Sequence, residues 1–199
     1  IQGFTTLAES LTPEEAVESL NDLINAFDNA AEKHGVEKVK TIGDNYMACC
    51  GLTIPRLDHA KRVFEFAKDI RAIVDAYNLE HGHKLATRTG IHSGQVTAGI
   101  VGKTRFVYDL WGESVNVASR IRYEASSNAI LVTDTVHDRL TDGETFSLLK
   151  ELNTPSYGVI NVWQWQDGAP LSSGADTASS VEDTQIIETG YLEGVSGDE

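Results

Sequence analysis

The sequence predicts an α+β domain, with helices on one face of a mostly antiparallel sheet. Three observations lead to this fold class. Two long segments carry apolar residues at helical spacing, several shorter segments are strand-like, and the strands are joined by both tight turns and helical crossovers. The chain has 199 residues, enough to bury one sizeable core. A small scaffold held together by disulfides is therefore excluded.

The first helix is predicted from the signals at its two ends. Thr12 is suited to the N-cap, Pro13 to the first helical position, and Glu15 completes a capping box. Apolar residues then recur at helical spacing as far as Gly35, a residue typical of the position just after a helix. We therefore expect a long amphipathic helix that ends at Gly35.

The other elements follow from changes in the apolar period. The runs 36–42 and 45–50 flank a two-residue turn, which is the pattern of a hairpin. Helical spacing returns over residues 63–77 and stops near Gly82. Beyond this point we expect strands over 85–92, 95–101, 106–110, 129–133, 145–149 and 159–165, and helices after Gly112 and over 134–140.

Acidic residues are concentrated at the C-terminal end. The chain has 16 Lys+Arg and 30 Asp+Glu, which gives a net charge of -14. Residues 167–199 hold eight acidic residues and no basic residue, so residues 1–166 carry the remaining -6. We predict a folded domain over 1–166 and an acidic, flexible tail over 167–199. An apolar island at 186–192 leaves docking of the tail onto the domain or a partner open.

Charge and cysteine content limit the partners and the compartment. A negative field repels nucleic acid and anionic lipid headgroups, which disfavours a nucleic-acid-binding function. No stretch approaches the ~20 uninterrupted apolar residues of a membrane span. Cys49 and Cys50 are neighbours in an apolar run and are predicted to be buried thiols in a reducing compartment. A cytoplasmic domain is expected, and the abrupt start at Ile1 leaves room for a sensor or membrane anchor upstream.

Two segments place polar groups where a core would not need them. In residues 1–6, a strand end passes through Gly3 towards a helix, where free backbone N–H groups can hold phosphate oxygens. In residues 40–44, Lys-Thr-Ile-Gly-Asp, a carboxylate stands at a hairpin tip four residues after a lysine. Taken alone, the second segment is also consistent with an exposed turn aspartate and a strand lysine.

A third segment, residues 108–120, reads Tyr-Asp-Leu-Trp-Gly-Glu-Ser-Val-Asn-Val-Ala-Ser-Arg. Asn116 and Arg120 are four residues apart in the predicted helix and therefore share a face. An amide and a guanidinium on one face suit an oxygen-rich anionic ligand such as a phosphate. Taken singly, the same pair is typical of a surface hydrogen-bonding face.

The order and spacing of these segments carry more information than any one of them. Gly-Phe-Thr near the start, Lys-Thr-Ile-Gly-Asp after one long helix, Gly-Ile-His-Ser-Gly at 90–94 and the segment 108–120 closely resemble the class III nucleotidyl cyclase catalytic domain, adenylate cyclase type. The resemblance covers roughly residues 1–165. It implies a ferredoxin-like βαββαβ core, with a mostly antiparallel sheet and helices packed on it.

The resemblance implies an enzyme that converts ATP into 3′,5′-cyclic AMP and pyrophosphate. In this family two Mg²⁺ or Mn²⁺ ions per site activate the ribose 3′-hydroxyl and neutralise the triphosphate. By motif, Asp44 and the main-chain carbonyl of Ile1 are expected to bind the metal ions. Backbone groups of Gly3, Phe4 and Thr5 are expected to hold the phosphates.

Four side chains are implied for the ribose, the reacting phosphate and the base. Asn116 is expected to orient the ribose, and Arg120 to neutralise the charge that grows on the α-phosphate. Lys40 and Asp109 occupy the positions that select the base. Adenine offers an acceptor at N1 and donors at N6, which a lysine and an aspartate match. The resemblance therefore points to ATP, with guanylate cyclase as the alternative.

The resemblance also implies a homodimer with composite active sites. In the family the metal carboxylates come from one protomer, and the base-selecting, Asn and Arg residues come from the other. This chain holds both sets, so a symmetric dimer would have two sites. Residues 103–106 would lie in an arm that crosses the interface.

Two positions depart from the family pattern. The family's other metal aspartate stands immediately before the segment that begins at Ile1, and the sequence does not include that position. The family often has a Lys-Gly-Lys-Gly-like run before its last strand to grip the triphosphate. Residues 154–158, Thr-Pro-Ser-Tyr-Gly, stand there instead, and Lys150 is the substitute that we consider.

A non-catalytic domain that keeps the cyclase fold for dimerisation is the alternative from another functional class. The presence of Asp44, Asn116 and Arg120 argues against it, because a dimerisation module has no use for these groups at these spacings. His92 is expected to be structural, since no Cys or carboxylate stands at ligand spacing from it.

Overall fold

Helices come first in the chain and strands dominate its second half. The computed structural model describes residues 1–102, 104, 107–140 and 143–167. The tail beyond Asp167 and most of the predicted arm, namely Lys103, Arg105 and Phe106, lie outside the described residues. The elements are α1 Phe4–Glu9, α2 Pro13–His34, β1 Glu37–Ile42, β2 Asn45–Cys49, α3 His59–His81, β3 Arg88–Ile91, β4 Thr97–Val101, β5 Val107–Trp111, α4 Glu113–Glu124, β6 Ala129–Thr133, α5 Asp134–His137, β7 Thr145–Thr154 and β8 Gly158–Gln166.

Helix α2 has the ends that its sequence predicts. The Glu15 backbone N–H donates to the Thr12 hydroxyl at 3.3 Å, and the Thr12 N–H donates to the Glu15 carboxylate at 2.8 Å, which closes the capping box. Gly35 follows the last turn in the left-handed conformation, with φ 64°. The helix buries Leu23 and Phe27 in a cluster with Val74 of α3.

The strands in the described part of the chain form three sheets. Strands β1 and β2 form one antiparallel hairpin, and β4 and β5 form another. The largest sheet has the order β3-β6-β8-β7, in which β3 and β6 are parallel and the other neighbours are antiparallel. The prediction of a mostly antiparallel α+β fold is confirmed.

Helices cover both faces of the four-stranded sheet, so the prediction of helices on one face is wrong. Leu131 of β6 packs with Val117 and Ile121 of α4, whereas its neighbour Ile130 packs with Phe64 of α3. The reason lies in β6, where all five residues are buried. A strand that is apolar at consecutive positions has no face suited to water and needs a cover on each side.

Two other differences from the prediction concern the first nine residues. Residues 1–3 are not a strand, since only an isolated antiparallel bridge joins Gln2 to Ala86. Helix α1 was not expected, because six residues are too few to reveal a helical period.

Two cavities, of about 380 and 660 Å³, are each lined by residues of both β2 and β3. Within the described residues, no helix combines the length and the apolar character that crossing a membrane requires.

Candidate active site

The β1–β2 turn brings Asp44 next to Ile1. Gly43 adopts φ 58° at this turn, a conformation that glycine tolerates, and Asp44 follows it. The amino group of Ile1 donates to the main-chain carbonyl of Asp44 at 2.9 Å. Both residues line the smaller cavity. Two residues that are 43 positions apart in sequence, and that the motifs predict as metal ligands, are therefore in direct contact.

The predicted phosphate-binding segment stands beside them. The backbone of Gln2 bonds to that of Ala86 in both directions, which fixes the chain just before Gly3. Gly3 has φ 86° and turns the chain into α1, whose first residue Phe4 is buried. Because the first N–H groups of a helix have no partner within it, those of Phe4 and Thr5 are available to a ligand.

Lys40 and Asp109 form an ion pair within one chain. The Lys40 ammonium donates to the Asp109 carboxylate at 2.6 Å, and the Leu110 N–H donates to the other carboxylate oxygen at 2.8 Å. The hydrogen bond from Lys40 lowers the pKa of the Asp109 carboxyl. The two side chains remain 29% and 18% exposed, so the pair is still accessible. The structure thus joins the two residues predicted to select the base.

Helix α4 carries Asn116 and Arg120 on an exposed face. The helix crosses β3 closely at Gly90, where an added Cβ would lie 2.4 Å from the Ala118 carbonyl oxygen. The Arg120 guanidinium donates to the main-chain carbonyl of Asn153 at 2.9 Å. The side-chain amide of Asn116 makes no hydrogen bond with any described residue. An amide and a guanidinium are therefore presented together towards the outside of the domain.

The predicted site residues fall into separate groups within one chain. In the described part of the chain, no hydrogen bond or ion pair joins Asn116 or Arg120 to Asp44 or to the Lys40–Asp109 pair. Lys150, considered for the triphosphate, pairs with Glu124 of α4 at 2.6 Å. Glu124 lies one helical turn beyond Arg120, so this ammonium stands near the same helix face.

The donors near Asp44 suit a divalent ion in type but not in number. Carboxylate and carbonyl oxygens are the ligands that hard cations prefer. Among the described residues, however, no group of three or more His, Cys, Asp or Glu side chains could hold a metal. One carboxylate and the Ile1 carbonyl are too few for a site with two ions.

Sequence comparison adds a finding to this geometry. A sequence model described as the adenylate and guanylate cyclase catalytic domain matches residues 1–163. The chain belongs to this cyclase family. Adenylate cyclase from Mycobacterium tuberculosis is 39% identical over 163 residues, which cover 82% of this chain and 37% of the relative. The receptor-type guanylate cyclase gcy-23 from Caenorhabditis elegans is 39% identical over 141 residues, covering 69% and 13%.

A solved structure supports the same assignment. The guanylate cyclase domain of RhGC from Catenaria anguillulae, in complex with GTP, has a TM-score of 0.76 and 28% identity. The match covers 83% of this chain and 91% of that domain. The cyclase chain therefore spans nearly a whole catalytic domain but only a minor part of its curated relatives. Both adenylate and guanylate cyclases are among the relatives, so family membership leaves the base undecided.

The thiols and the central histidine of this cyclase domain are uncharged at neutral pH. Cys49 and Cys50 are free but only partly buried, less than the sequence predicts. Burial raises the pKa of the Cys49 thiol to about 11, so the thiol stays protonated at neutral pH. Burial lowers the pKa of His92 to about 4, and its Nδ1 lies 2.9 Å from the Thr133 hydroxyl.

His92 is expected to make folding pH-dependent. Its pKa is about 4 in the folded cyclase domain and about 6.5 when unfolded, so between these values the unfolded chain binds more protons. The free energy of unfolding should therefore fall by about 1–2 kcal/mol from pH 7 to pH 5 on account of this group. Urea unfolding at both pH values measures this change. His92→Asn should show a smaller fall than the wild type, and equal falls would contradict the assignment.

Sequence reasoning missed one set of contacts around α4. The hydroxyls of Ser114 and Tyr157 lie 2.8 Å apart, and the Ser114 hydroxyl donates to the Gln95 carbonyl at 2.6 Å. Tyr157 lies in the turn between β7 and β8. It follows closely after Asn153 of β7, whose carbonyl accepts a hydrogen bond from Arg120 of α4. No spacing signal connects residues 43 positions apart, so only the folded cyclase domain reveals this contact.

Proposed function

We propose that the chain is the catalytic domain of an adenylate cyclase, which converts ATP into 3′,5′-cyclic AMP and pyrophosphate. The observation that carries the choice of ATP is the contact between Lys40 and Asp109. Family membership supports a cyclase but not a particular base, because relatives of both types match. The choice of base therefore rests on the chemistry of this pair.

The pair offers one donor and one acceptor to a purine edge. Adenine presents an acceptor at N1 and donors at the N6 amino group. A lysine ammonium donates to N1, and an aspartate carboxylate accepts from N6. Guanine presents an N1–H donor and an O6 acceptor. The lysine donor would then face the N1–H donor, and the aspartate acceptor would face the O6 acceptor. Lys40 and Asp109 are partly buried but keep 29% and 18% of their side chains exposed, so a base can reach them.

The reaction is an internal phosphoryl transfer. The ribose 3′-hydroxyl gives up its proton to water, its oxygen attacks the α-phosphorus, the bond from that phosphorus to the bridging oxygen breaks, and pyrophosphate leaves with the bonding electrons. Arg120 supplies a fixed positive charge for the phosphate oxygens as they gain charge, and Asn116 orients the ribose. The N–H groups of Phe4 and Thr5, after Gly3, bind the other phosphates.

Divalent ions complete the proposed chemistry. Two Mg²⁺ or Mn²⁺ ions per site, bound by Asp44, the Ile1 carbonyl and an aspartate placed immediately before Ile1, would acidify the 3′-hydroxyl and neutralise the triphosphate. The oxygen donors that are present fit this role in type. The extra aspartate is needed because Asp44 is the only carboxylate that the motifs supply to this site.

We propose that two copies of the chain form each active site. Asn116 and Arg120 lie on an exposed face of α4 and do not contact Asp44, so one chain alone does not assemble the reacting groups. The β4–β5 hairpin exposes Ile100, Val101 and Val107 at 66%, 58% and 50%, an apolar surface suited to a second copy. A two-fold dimer would contain two equivalent sites.

A non-catalytic dimerisation domain is the second candidate, favoured by the single carboxylate near Ile1. The deciding experiment uses the chain extended by one aspartate before Ile1, incubated with Mn²⁺ and either ATP or GTP. Mass spectrometry of the products should show cyclic AMP from ATP and much less cyclic GMP from GTP. Absence of both products from a protein that remains dimeric would favour the second candidate. Preferred formation of cyclic GMP would favour guanylate cyclase.

Exchange of the base-contacting pair should change the preferred nucleotide. In the double variant Lys40→Glu with Asp109→Ser, a carboxylate accepts from guanine N1–H and a hydroxyl donates to O6. The ratio of kcat/KM for GTP over ATP should rise by about 100-fold, because two matched hydrogen bonds replace two mismatched ones. Steady-state kinetics with both nucleotides measures this ratio.

The neighbouring pair Lys38–Asp28, joined at 2.7 Å, provides the matched control. The double variant Lys38→Glu with Asp28→Ser makes the same chemical change at a lysine of β1 across the bulge from Lys40 and at its partner on α2, and it should keep the wild-type preference. An unchanged preference in the Lys40 and Asp109 variant would show that this pair does not read the base.

A further inference from the structure

The β7–β8 turn and the adjoining end of β7 each make one contact with helix α4. At one point the Tyr157 hydroxyl lies 2.8 Å from the hydroxyl of Ser114, in the first turn of α4. At the other, the carbonyl of Asn153, the last residue but one of β7, accepts from Arg120 at 2.9 Å. The two points are six residues apart on the helix and lie on either side of Asn116. The turn and the end of β7 therefore contact α4 before Asn116 and at Arg120, the two residues proposed to act on the nucleotide.

Hydrogen bonds within the turn couple the position of Tyr157 to that of Asn153. The Thr154 hydroxyl donates to the Gly158 carbonyl at 3.0 Å and accepts from the Tyr157 N–H at 3.1 Å. Thr154 is buried, so these bonds are shielded from water. Movement of the Tyr157 ring is therefore coupled to the neighbouring backbone, including the Asn153 carbonyl that holds Arg120.

The direction of the hydroxyl contact can be assigned from proton counts. The Ser114 hydroxyl has one proton, which goes to the Gln95 carbonyl at 2.6 Å. The proton between Ser114 and Tyr157 must then come from Tyr157, so Tyr157 donates. Loss of this hydroxyl would leave the Ser114 oxygen without one donor, but it would leave no buried N–H or O–H unpaired.

The loop after β3 packs closely against the contact between Ser114 and Tyr157. A Cβ added at Gly94 would lie 2.4 Å from the Tyr157 hydroxyl and 2.5 Å from the Ser114 hydroxyl, so only glycine fits there without displacement. The Tyr157 ring also stands edge-on to His92, with ring centroids 4.9 Å apart. Packing therefore holds the ring, and the hydroxyl alone makes the polar contact with α4.

We propose that Tyr157 is a positioning residue that holds Arg120 in place through Ser114 and the shared turn. The inference rests on the proposed function, because it assigns importance to the position of Arg120. Tyr157 does not contact nucleotide in this scheme. Its hydroxyl fixes the start of α4 against the turn, and the Asn153 carbonyl fixes the guanidinium one and a half helical turns later.

The test compares Tyr157→Phe, which keeps the ring and removes only the hydroxyl, with the wild type, both in the chain extended by one aspartate before Ile1. The kcat for cyclic AMP should fall by about 10-fold with KM within about two-fold, because a displaced guanidinium affects the transition state more than substrate binding. Ser114→Ala should have a similar effect, and the double variant should be no worse than either single one. Tyr77→Phe, which removes a hydroxyl from α3 at a distance from α4, should match the wild type.

A spectroscopic readout separates this inference from the proposed function. The Nε–Hε NMR resonance of Arg120, assigned by its loss in Arg120→Lys, should shift in Tyr157→Phe and stay in place in Tyr77→Phe. A resonance that does not move overturns the positioning role, whatever the activity. If the wild type makes cyclic AMP, a kcat for Tyr157→Phe within two-fold of wild type also overturns it. If the wild type extended by one aspartate makes no product, the proposed function fails, and the resonance alone decides the positioning role.

Discussion

Arg120→Ala, in the chain extended by one aspartate before Ile1, is expected to lower the kcat for cyclic AMP formation by about 100- to 1,000-fold, as loss of a donor to a developing oxyanion does elsewhere. The guanidinium is exposed and, among the residues that the structure describes, is bonded only to the Asn153 carbonyl, so it is available to a nucleotide and its removal leaves no buried group unpaired. Stability should change little for the same reason. Product formation measured by mass spectrometry, with nucleotide affinity from calorimetry, tests both statements.

Arg139→Ala is the matched control for this prediction. The Arg139 guanidinium is also exposed and also donates to a main-chain carbonyl, that of Thr135, but it lies outside α4. Its loss should leave kcat unchanged. A wild-type kcat in Arg120→Ala would remove Arg120 from the proposed mechanism. A large loss of nucleotide affinity at unchanged kcat would assign it to binding instead.

Asp44→Asn is expected to lower metal-dependent activity by about 1,000-fold in the chain extended by one aspartate. The amide has the shape of the carboxylate but carries no charge, so it binds a divalent ion poorly. The contact with Ile1 uses the main-chain carbonyl of Asp44 and should survive, which keeps the turn folded. Titration with Mn²⁺, followed by electron paramagnetic resonance, should show weakened binding. Asp22→Asn, an exposed aspartate on α2, is the control and should behave as the wild type.

Mixing the two inactive variants tests whether the site is shared between chains. If Asp44 and Arg120 act from opposite protomers, an equal mixture of Asp44→Asn and Arg120→Ala contains heterodimers with one intact site and one doubly altered site. Random exchange then restores about a quarter of wild-type activity. Activity that does not rise on mixing, while exchange of subunits is confirmed, would place both residues in the same protomer.

Local signals accounted for the long elements. Capping residues and helical spacing fixed α2 to the residue, because each end depends on groups only a few positions apart. The six residues of α1 were not predicted, since a single turn and a half shows no period. The burial of β6 on both faces was also missed, although its five consecutive apolar or small residues, 129–133, contain that signal.

Motif order located the candidate site, but not its contacts. The motifs assigned Lys40 and Asp109 to one task, and they lie 2.6 Å apart despite a separation of 69 residues. Ser114 and Tyr157 were missed, because hydroxyl groups on unrelated elements form no pattern in sequence. Contacts of this kind depend on how β7 and β8 pack against α4, which spacing alone does not specify.

The ion pair between Lys40 and Asp109 has a consequence for how this chain can evolve. Each side chain neutralises the other, so replacing one of them leaves its partner as an uncompensated charge in a partly buried position. A single mutation is therefore more harmful than the matched double change. If the pair reads the base as proposed, a lineage derived from this domain would have to cross a less stable intermediate before it accepted a different nucleotide.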